Sequence, residues 1–402
     1  MLDRLTVERM RARAGNAPVL LGLSGGGDSV ALLHLLVETL GPTRLIAACV
    51  DHALREGSRA DAERACGFAH ALGVPAQLLT VAWPARRARG QNAAREQRLR
   101  ALYVCARESG ARVIALAHTA DDQAETILMR AAGGSTWRGL AGISPFAPAP
   151  LWPEGRGLLL ARPLLGVRRR ALRAYLGARG AAWLEDPANQ NRAYERVRTR
   201  DRLAEMEAAG FDPMRLADMA VHLRAQLADI DDAAAALIGQ AARFDGGDVS
   251  LDLARWRGGD AKVRMRALAV LVAAVSGESS EPPASAMENV DDRMLAHAFA
   301  GVTHSGVMFA AAPRGVRLSR DPGALAGRAD GVAPMPPLDL PAGVETIWDG
   351  RLAITPPRPG WRVEHERGAP TLFADDTALP IAEAGEAVRW LLAEHVAHAL
   401  GH

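Results

Sequence analysis

Val19-Leu20-Leu21-Gly22-Leu23-Ser24-Gly25-Gly26-Gly27-Asp28-Ser29-Val30 is the stretch that decides how this chain is read. The apolar run Val19–Leu23 has the length of a buried strand, and an amphipathic stretch starts at Val30. Between them, consecutive glycines allow backbone N–H groups to converge on an anion, and the following helix N-terminus adds favourable partial charge. Gly22 and Gly27 have the spacing of a G-x-x-x-x-G-K-[ST] loop, but Asp28 stands where the lysine belongs. A carboxylate there cannot neutralise phosphate charge directly; it can hold a divalent cation that does. The loop is therefore built for a phosphate chemistry different from that of kinases and GTPases.

Outward from this turn, short apolar runs alternate with helical patterns, the signature of βαβ units and a parallel sheet. Strands are expected at Val19–Leu23, Leu45–Val50, Ala76–Val81 and Arg112–Ala117, and helices at Asp28–Leu40, Ser58–Leu72, Asn92–Ser109 and Ala120–Ala131. In such sheets ligands bind beyond the carboxyl ends of the strands, near the switch in strand order. Gly25–Ser29, Asp51-His52 and His118–Asp122 all follow strand ends, so they are candidates for one crevice. After a Pro/Gly-rich interruption at Ser144–Gly155, Leu158–Ala161 reads as a strand and Val167–Arg179 as a helix. Domain boundaries fall at about 1–205, 206–320 and 321–402, the second part alanine-rich and mainly helical, the last a small region containing Trp348, Trp361 and Trp390.

His118-Thr119-Ala120-Asp121-Asp122-Gln123-Ala124-Glu125-Thr126 is the second chemically loaded segment. With Thr119 as N-cap, Asp121 and Asp122 enter the first helical turn, where the dipole stabilises carboxylates, and Glu125 shares their face. Thr119 and Asp122 alone would satisfy a capping pattern; a histidine and three acids after a strand exceed what capping needs. Composition adds bounds. The chain has 402 residues, 49% hydrophobic and 23% charged, with a net charge of +2 and no apolar segment of membrane-spanning length. The opening residues are charged from Asp3, so a cytoplasmic location is expected. Cys49, Cys66 and Cys105 form no C-x-x-C pair, which speaks against metal or sulfur-relay chemistry. Lys262 is the only lysine, so arginine carries the basic charge. The arginines from Arg162 to Arg202 outnumber the local acids Glu185, Asp186, Glu195 and Asp201 and suit a phosphate backbone.

The six-residue loop resembles the SGGxDS motif of PP-loop, or N-type, ATP pyrophosphatases, which split ATP between the α- and β-phosphates. Further strings resemble the tRNA(Ile)-lysidine synthetase family in that family's order. They are Asp51-His-Ala-Leu-Arg55, Asn92-Ala-Ala-Arg-Glu-Gln-Arg98, His118–Thr126, Gly133-Gly-Ser-Thr-Trp-Arg-Gly-Leu140, Arg162-Pro-Leu-Leu165 and Glu185-Asp-Pro-Ala-Asn189. Leu99 and Val197 depart from the tyrosine and asparagine common there. The resemblance is strong over about residues 15–205 and weak afterwards. It implies an adenine nucleotide alpha hydrolase-like α/β domain, then a mainly helical tRNA-binding domain and a divergent C-terminal accessory region. It also implies a ligase that adenylates C2 of the wobble cytidine in isoleucine tRNA with a CAU anticodon. L-Lysine then displaces AMP, giving lysidine, with pyrophosphate released from ATP.

On that reading Ser24, Gly25, Gly26, Gly27, Asp28 and Ser29 bind ATP, with Asp51 and His52 beside adenine or in a turn. Asp28 and one of Asp121 or Asp122, Asp122 being preferred, hold Mg²⁺. Asp121 and Glu125 are both candidates to bind and deprotonate the lysine ammonium, and His118 contacts phosphate or closes the strand end. Arg138 is expected to reach phosphate or the anticodon loop, and Arg196 and Arg200, by resemblance, to contact tRNA or ATP. The oligomeric state, monomer or homodimer, is open. The rival readings are a PP-loop enzyme thiolating cytidine, which needs the missing cysteine pairs, and a non-catalytic ATP-binding module, which needs none of these acids.

Overall fold

Val19, Leu20 and Leu21 are all buried, and everything in the first part of the molecule is arranged around the strand they form. The computed structural model describes residues 1–54, 56–83, 91–185, 192–193, 195–327, 333–366 and 368–401. Arg55 and residues 186–189 of the strings above lie outside them. The described chain forms two compact units, Met1–Leu227 and Ala228–His402.

The first unit opens with α1 (Arg4–Ala14), β1 (Val19–Gly22), α2 (Gly27–Leu40), β2 (Leu45–Asp51), α3 (Ser58–Ala71) and β3 (Ala76–Thr80). It continues through α4 (Gln91–Glu108), β4 (Val113–Ala115), α5 (Ala120–Ala132), α6 (Trp137–Leu140), β5 (Phe146–Pro148) and β6 (Leu159–Ala161). Helices α7 (Arg169–Gly177), α8 (Glu195–Ala208) and the start of α9 (Met214–Ala241) complete it. The sheet order is β3-β2-β1-β4-β6-β5, parallel throughout except for the edge strand β5, which runs antiparallel to β6. Strand alternation sends Leu21, Ala47, Cys49 and Ala115 into one core with α2, α3 and α7. Leu20, Ala48, Ile114 and Leu160 go to the other face, under Leu99, Leu102 and Tyr103 of α4. Both faces are covered, as parallel sheets require. All three cysteines are buried and free, serving as small core residues.

The switch in strand order lies between β1 and β4, which pair directly. The loops leaving these two strands carry the glycine turn and the acidic segment. Their adjacency follows from topology rather than from any side-chain contact.

In the second unit, β7 (Ala242–Asp245), β8 (Asp248–Asp252), β9 (Val302–His304), β10 (Val307–Ala312) and β11 (Gly315–Arg320) form an antiparallel sheet ordered β7-β8-β11-β10-β9. Between β8 and β9 come α10 (Leu253–Trp256), α11 (Ala261–Ser276) and α12 (Ala284–Leu295). Every residue of α11 from Arg266 to Ser276 is buried, so the apolar run Ala267–Val275 is the core of this unit. The segment expected to be mainly helical thus also carries strands. Near the C-terminus two small antiparallel sheets of short strands pack over Trp348 and Trp361. No helix among the described residues is long and apolar enough to cross a membrane.

Candidate active site

Gly25 has φ of +80°, and a Cβ there would lie 2.6 Å from Leu184 Cδ1; a Cβ on Gly27 would meet Arg173 Nε at 2.8 Å. The sequence uses glycine because the turn is left-handed at one position and closely approached at both. Leu184 N–H donates to Gly25 O at 2.8 Å, and Ser29 Oγ donates to Gly26 O at 2.8 Å, which pins the turn. Helix α2 then starts at Gly27 with no side chain capping it, and its N-terminus is left for an anion.

Across from it, α5 starts with a full capping box. Thr119 N–H donates to Asp122 Oδ2 at 2.8 Å, and Asp122 N–H donates to Thr119 Oγ1 at 3.3 Å. Capping uses one oxygen of Asp122 and leaves Oδ1 facing the site. The two segments line one cavity of about 500 Å³ that includes Ser24, Gly26, Gly27, Asp28 and Ser29 from the turn. His118 and Asp122 line its other side, with Arg196 and Arg200 of α8. A volume of this order suits a small-molecule ligand, for which about 300–1,000 Å³ is usual.

A second cavity, of about 320 Å³, is lined by Asp121, Ala124, Glu125, Leu203, Ala204 and Pro213 among others, and shares Arg169, Arg173 and Arg200 with the first. Asp121 therefore belongs to this side, where Arg168 Nε donates to it at 3.0 Å and the Arg169 N–H at 2.6 Å. Asp51 and His52 line neither cavity. The Asp51 carboxylate accepts from Ala53 N–H at 2.9 Å and Ser58 Oγ at 2.5 Å, tying the loop after β2. Burial pushes the Asp51 pKa up, but these hydrogen bonds outweigh it and the carboxyl sits below its usual range. Arg138, half-buried on α6, also lies outside both linings.

The acids are held by arginines: Arg196 and Arg200, expected to contact a ligand, and Arg168 and Arg169, which the sequence shows only as part of a basic patch. Arg169, the first residue of α7, donates from Nε to Asp28 Oδ2 (2.9 Å), from Nη2 to Asp122 Oδ1 (3.0 Å) and from Nη1 to Glu125 Oε1 (3.4 Å). Glu125, only 1% exposed, also accepts from Arg196 Nε (2.8 Å) and Arg200 Nε (2.9 Å). Arg168 pairs with Glu207 as well as Asp121, Arg173 with Glu185, and Arg179 with Glu38. Glu185 is an acid local to these arginines in sequence, whereas the other opposing carboxylates come from α2, α5 and α8 and are remote from them or on another element. The available signal was position: Arg168 and Arg169 follow β6, so they reach the same edge of the sheet.

Electrostatics differ from residue to residue. Burial raises the Asp28 pKa above its ordinary value, with Arg169 pulling against it. Asp122 is also raised by burial, but Arg169 and Arg196 outweigh that and leave it lowered. His118 is pushed down to about 3, by burial first and by Arg162 second, with Asp122 opposing; its Nδ1 is buried without a hydrogen-bond partner. Arg98 of α4 lines the first cavity, and its pKa is lowered by burial and by Arg95. Its place in the lining makes it a cation that an anionic ligand can meet, and the sequence alone marks no role for it. Among the described residues no three His, Cys, Asp or Glu side chains converge as a ready metal cage. Asp28 Oδ1, however, is buried and accepts no hydrogen bond, so the donor set has room for a divalent cation.

A family model for the PP-loop domain matches residues 3–207. The tRNA(Ile)-lysidine synthase of Hyphomonas neptunium is 37% identical over 295 residues, covering 72% of this chain and 78% of that protein. The chain belongs to the tRNA(Ile)-lysidine synthase family. The member from Ruegeria pomeroyi is 37% identical over 283 residues, covering 69% of this chain and 66% of its own length. A solved U34-tRNA thiolase, NcsA of Methanococcus maripaludis, aligns at a TM-score of 0.44 and 18% identity over 56% of this chain and 78% of that one. The two departures from the family's strings, Leu99 and Val197, are both buried, so they alter packing and present nothing to the cavities.

Proposed function

We propose that this chain makes lysidine: it adenylates C2 of the wobble cytidine of isoleucine tRNA with a CAU anticodon and passes the activated base to L-lysine. The observation that carries the reading is the meeting of the glycine turn with His118 and Asp122 in one cavity. ATP would lie with its pyrophosphate against the amides of Ser24–Ser29 and the N-terminus of α2. Mg²⁺, held by Asp28 and Asp122, would supply positive charge at the α-phosphate and the leaving pyrophosphate. The cytidine oxygen is a weak nucleophile, so alignment and charge stabilisation do more here than a strong base.

Lysine has an amine, a carboxylate and an apolar stem. The second cavity offers Asp121 and Glu125 beside Ala124, Leu203 and Ala204, a matching chemistry. Of the two acids, Asp121 is the better placed for the ammonium, since Glu125 is already bound by three arginines. Arg98, Arg196 and Arg200 suit the phosphates of ATP or of an anticodon loop whose base is splayed into the crevice. We assign grip on the tRNA body to the helical segment after Asp201 and place the reaction in the cytoplasm.

The test incubates the purified chain with ATP, Mg²⁺, labelled lysine and isoleucine tRNA transcripts bearing C or U at the wobble position. Lysine is expected to enter only the C form, with AMP and pyrophosphate released. Release of ADP, or labelling independent of the wobble base, rejects the assignment.

A further inference from the structure

Arg169 bonds each of its guanidinium nitrogens to a different carboxylate: Asp28, Asp122 and Glu125. Asp28 makes no other ion pair among the described residues, and its second oxygen is unpartnered. Glu125 and Asp122, by contrast, keep Arg196 when Arg169 is set aside, and Glu125 keeps Arg200 too. Three carboxylates thus face three guanidinium groups, and the cluster is neutral without any metal. A divalent cation approaching Asp28 and Asp122 finds Asp28 Oδ1 open, but Asp28 Oδ2 and Asp122 Oδ1 are already taken by a charge-assisted fork. The guanidinium also lines the cavity that holds the glycine turn, within reach of a polyphosphate placed there.

We propose that Arg169 is a resident cation that holds the metal's place in the empty enzyme and moves to the phosphates when the metal arrives with ATP. This rests on the metal reading given under Proposed function. In the empty state Arg169 keeps Asp28 and Asp122 ionised and close together. Free metal must displace it without recompense and binds weakly. Metal carried by ATP brings phosphate oxygens that accept the displaced guanidinium, so the metal and the nucleotide bind as a unit. Arg169 positions the carboxylates in the empty site and contacts ATP in the loaded one, and its place at the start of α7 anchors it: its own N–H is held by Asp121.

The consequence is a pair of effects with opposite signs. In Arg169→Gln, Mn²⁺ binding to the nucleotide-free chain, read by electron paramagnetic resonance, is expected to tighten about tenfold, as loss of a charge-assisted bond predicts. ATP affinity of the same variant, in the presence of Mn²⁺, is expected to fall by about the same factor. Arg169→Lys keeps the charge but cannot span three carboxylates, and should fall between wild type and Arg169→Gln in both measurements; it serves if Arg169→Gln does not fold. A merely structural arginine would weaken both. Asp28→Asn separates the two ideas. If it weakens Mn²⁺·ATP binding while neither Arg169 variant gains free Mn²⁺, the metal reading stands and the resident-cation proposal is overturned. If Asp28→Asn leaves Mn²⁺·ATP binding unchanged, both are overturned.

Discussion

Both units of this molecule bury arginines against aspartates, and they use the pairing to opposite ends. In the second unit Asp349 is 2% exposed and is closed off by Arg320 at 2.9 Å and Arg351 at 2.6 Å. Arg264–Asp291 and Arg266–Asp231 are likewise internal to that unit and line none of the cavities described here. In the first unit the same chemistry stands on a cavity wall. Asp28 keeps an oxygen unpaired, and Arg169 divides itself among three acids. A closed pair fixes geometry; an open one can exchange partners with a ligand. The charge of the residues does not distinguish the two cases, and only their position relative to the sheet edge does.

The largest effect expected from breaking this contrast is in the closed pair. Asp349→Asn keeps shape and tolerates the left-handed backbone at this position (φ +51°), but strands two arginines. Removing one partner of a buried ion pair costs about 3–5 kcal/mol, so denaturant unfolding of the second unit should shift by that much. A loss below about 1 kcal/mol would mean the pair is solvated like a surface bridge. Asp121→Asn is the counterpart in the open cluster. Its side chain still accepts the Arg169 N–H, so stability should move by less than about 1 kcal/mol. The KM for lysine should rise about tenfold with tRNA adenylation intact, the signature of a lost ground-state contact. An adenylation rate that falls equally would place Asp121 with the metal instead of the amine.

How far each region could be read in advance follows the same division. In the first unit, burial on both faces leaves continuous apolar runs such as Val19–Leu23, and the glycine turn and His118–Glu125 sit at strand ends that the βαβ pattern marks. Their neighbourhood across β1 and β4 was legible for that reason. Helix α1 was not: five of its eleven residues are charged, and only Thr6, Val7, Met10 and Ala14 are buried. Strand β5 lay inside a proline-rich stretch read as an interruption; Pro148 is tolerated because β5 is the sheet edge. In the second unit, strands of three residues such as Thr346–Trp348 and Leu352–Ile354 are too short to show a period. At the site, the residue types of the acids were legible and the identity of their partners was not. Nothing local in Arg168-Arg169-Arg170 says that the middle side chain turns onto Asp28, 141 positions earlier.

The most gradual effect, spread over several pH units, involves two histidines, one in each unit. His118 and His395 are both pushed down to about 3, His118 by burial and then Arg162, His395 by burial and then His398. In the unfolded chain each has its ordinary value of about 6.5. Above that pH both states are neutral and the histidines contribute no pH dependence. As pH falls below it, the unfolded chain takes up a proton that the folded chain refuses until about pH 3. Each histidine therefore removes up to about 1.4 kcal/mol of stability per pH unit in that window, and His→Gln at either position should flatten the slope by that amount. The units part company when ATP is added. His118 lines the cavity proposed for ATP, so a bound polyphosphate should favour its protonated form, raise its pKa and flatten its share of the slope. His395 lines no such cavity, and its share should not respond. Unfolding curves from pH 7 to 4 for His118→Gln and His395→Gln, with and without ATP, read the difference directly. Equal responses to ATP at both histidines would mean that the nucleotide does not sit beside His118.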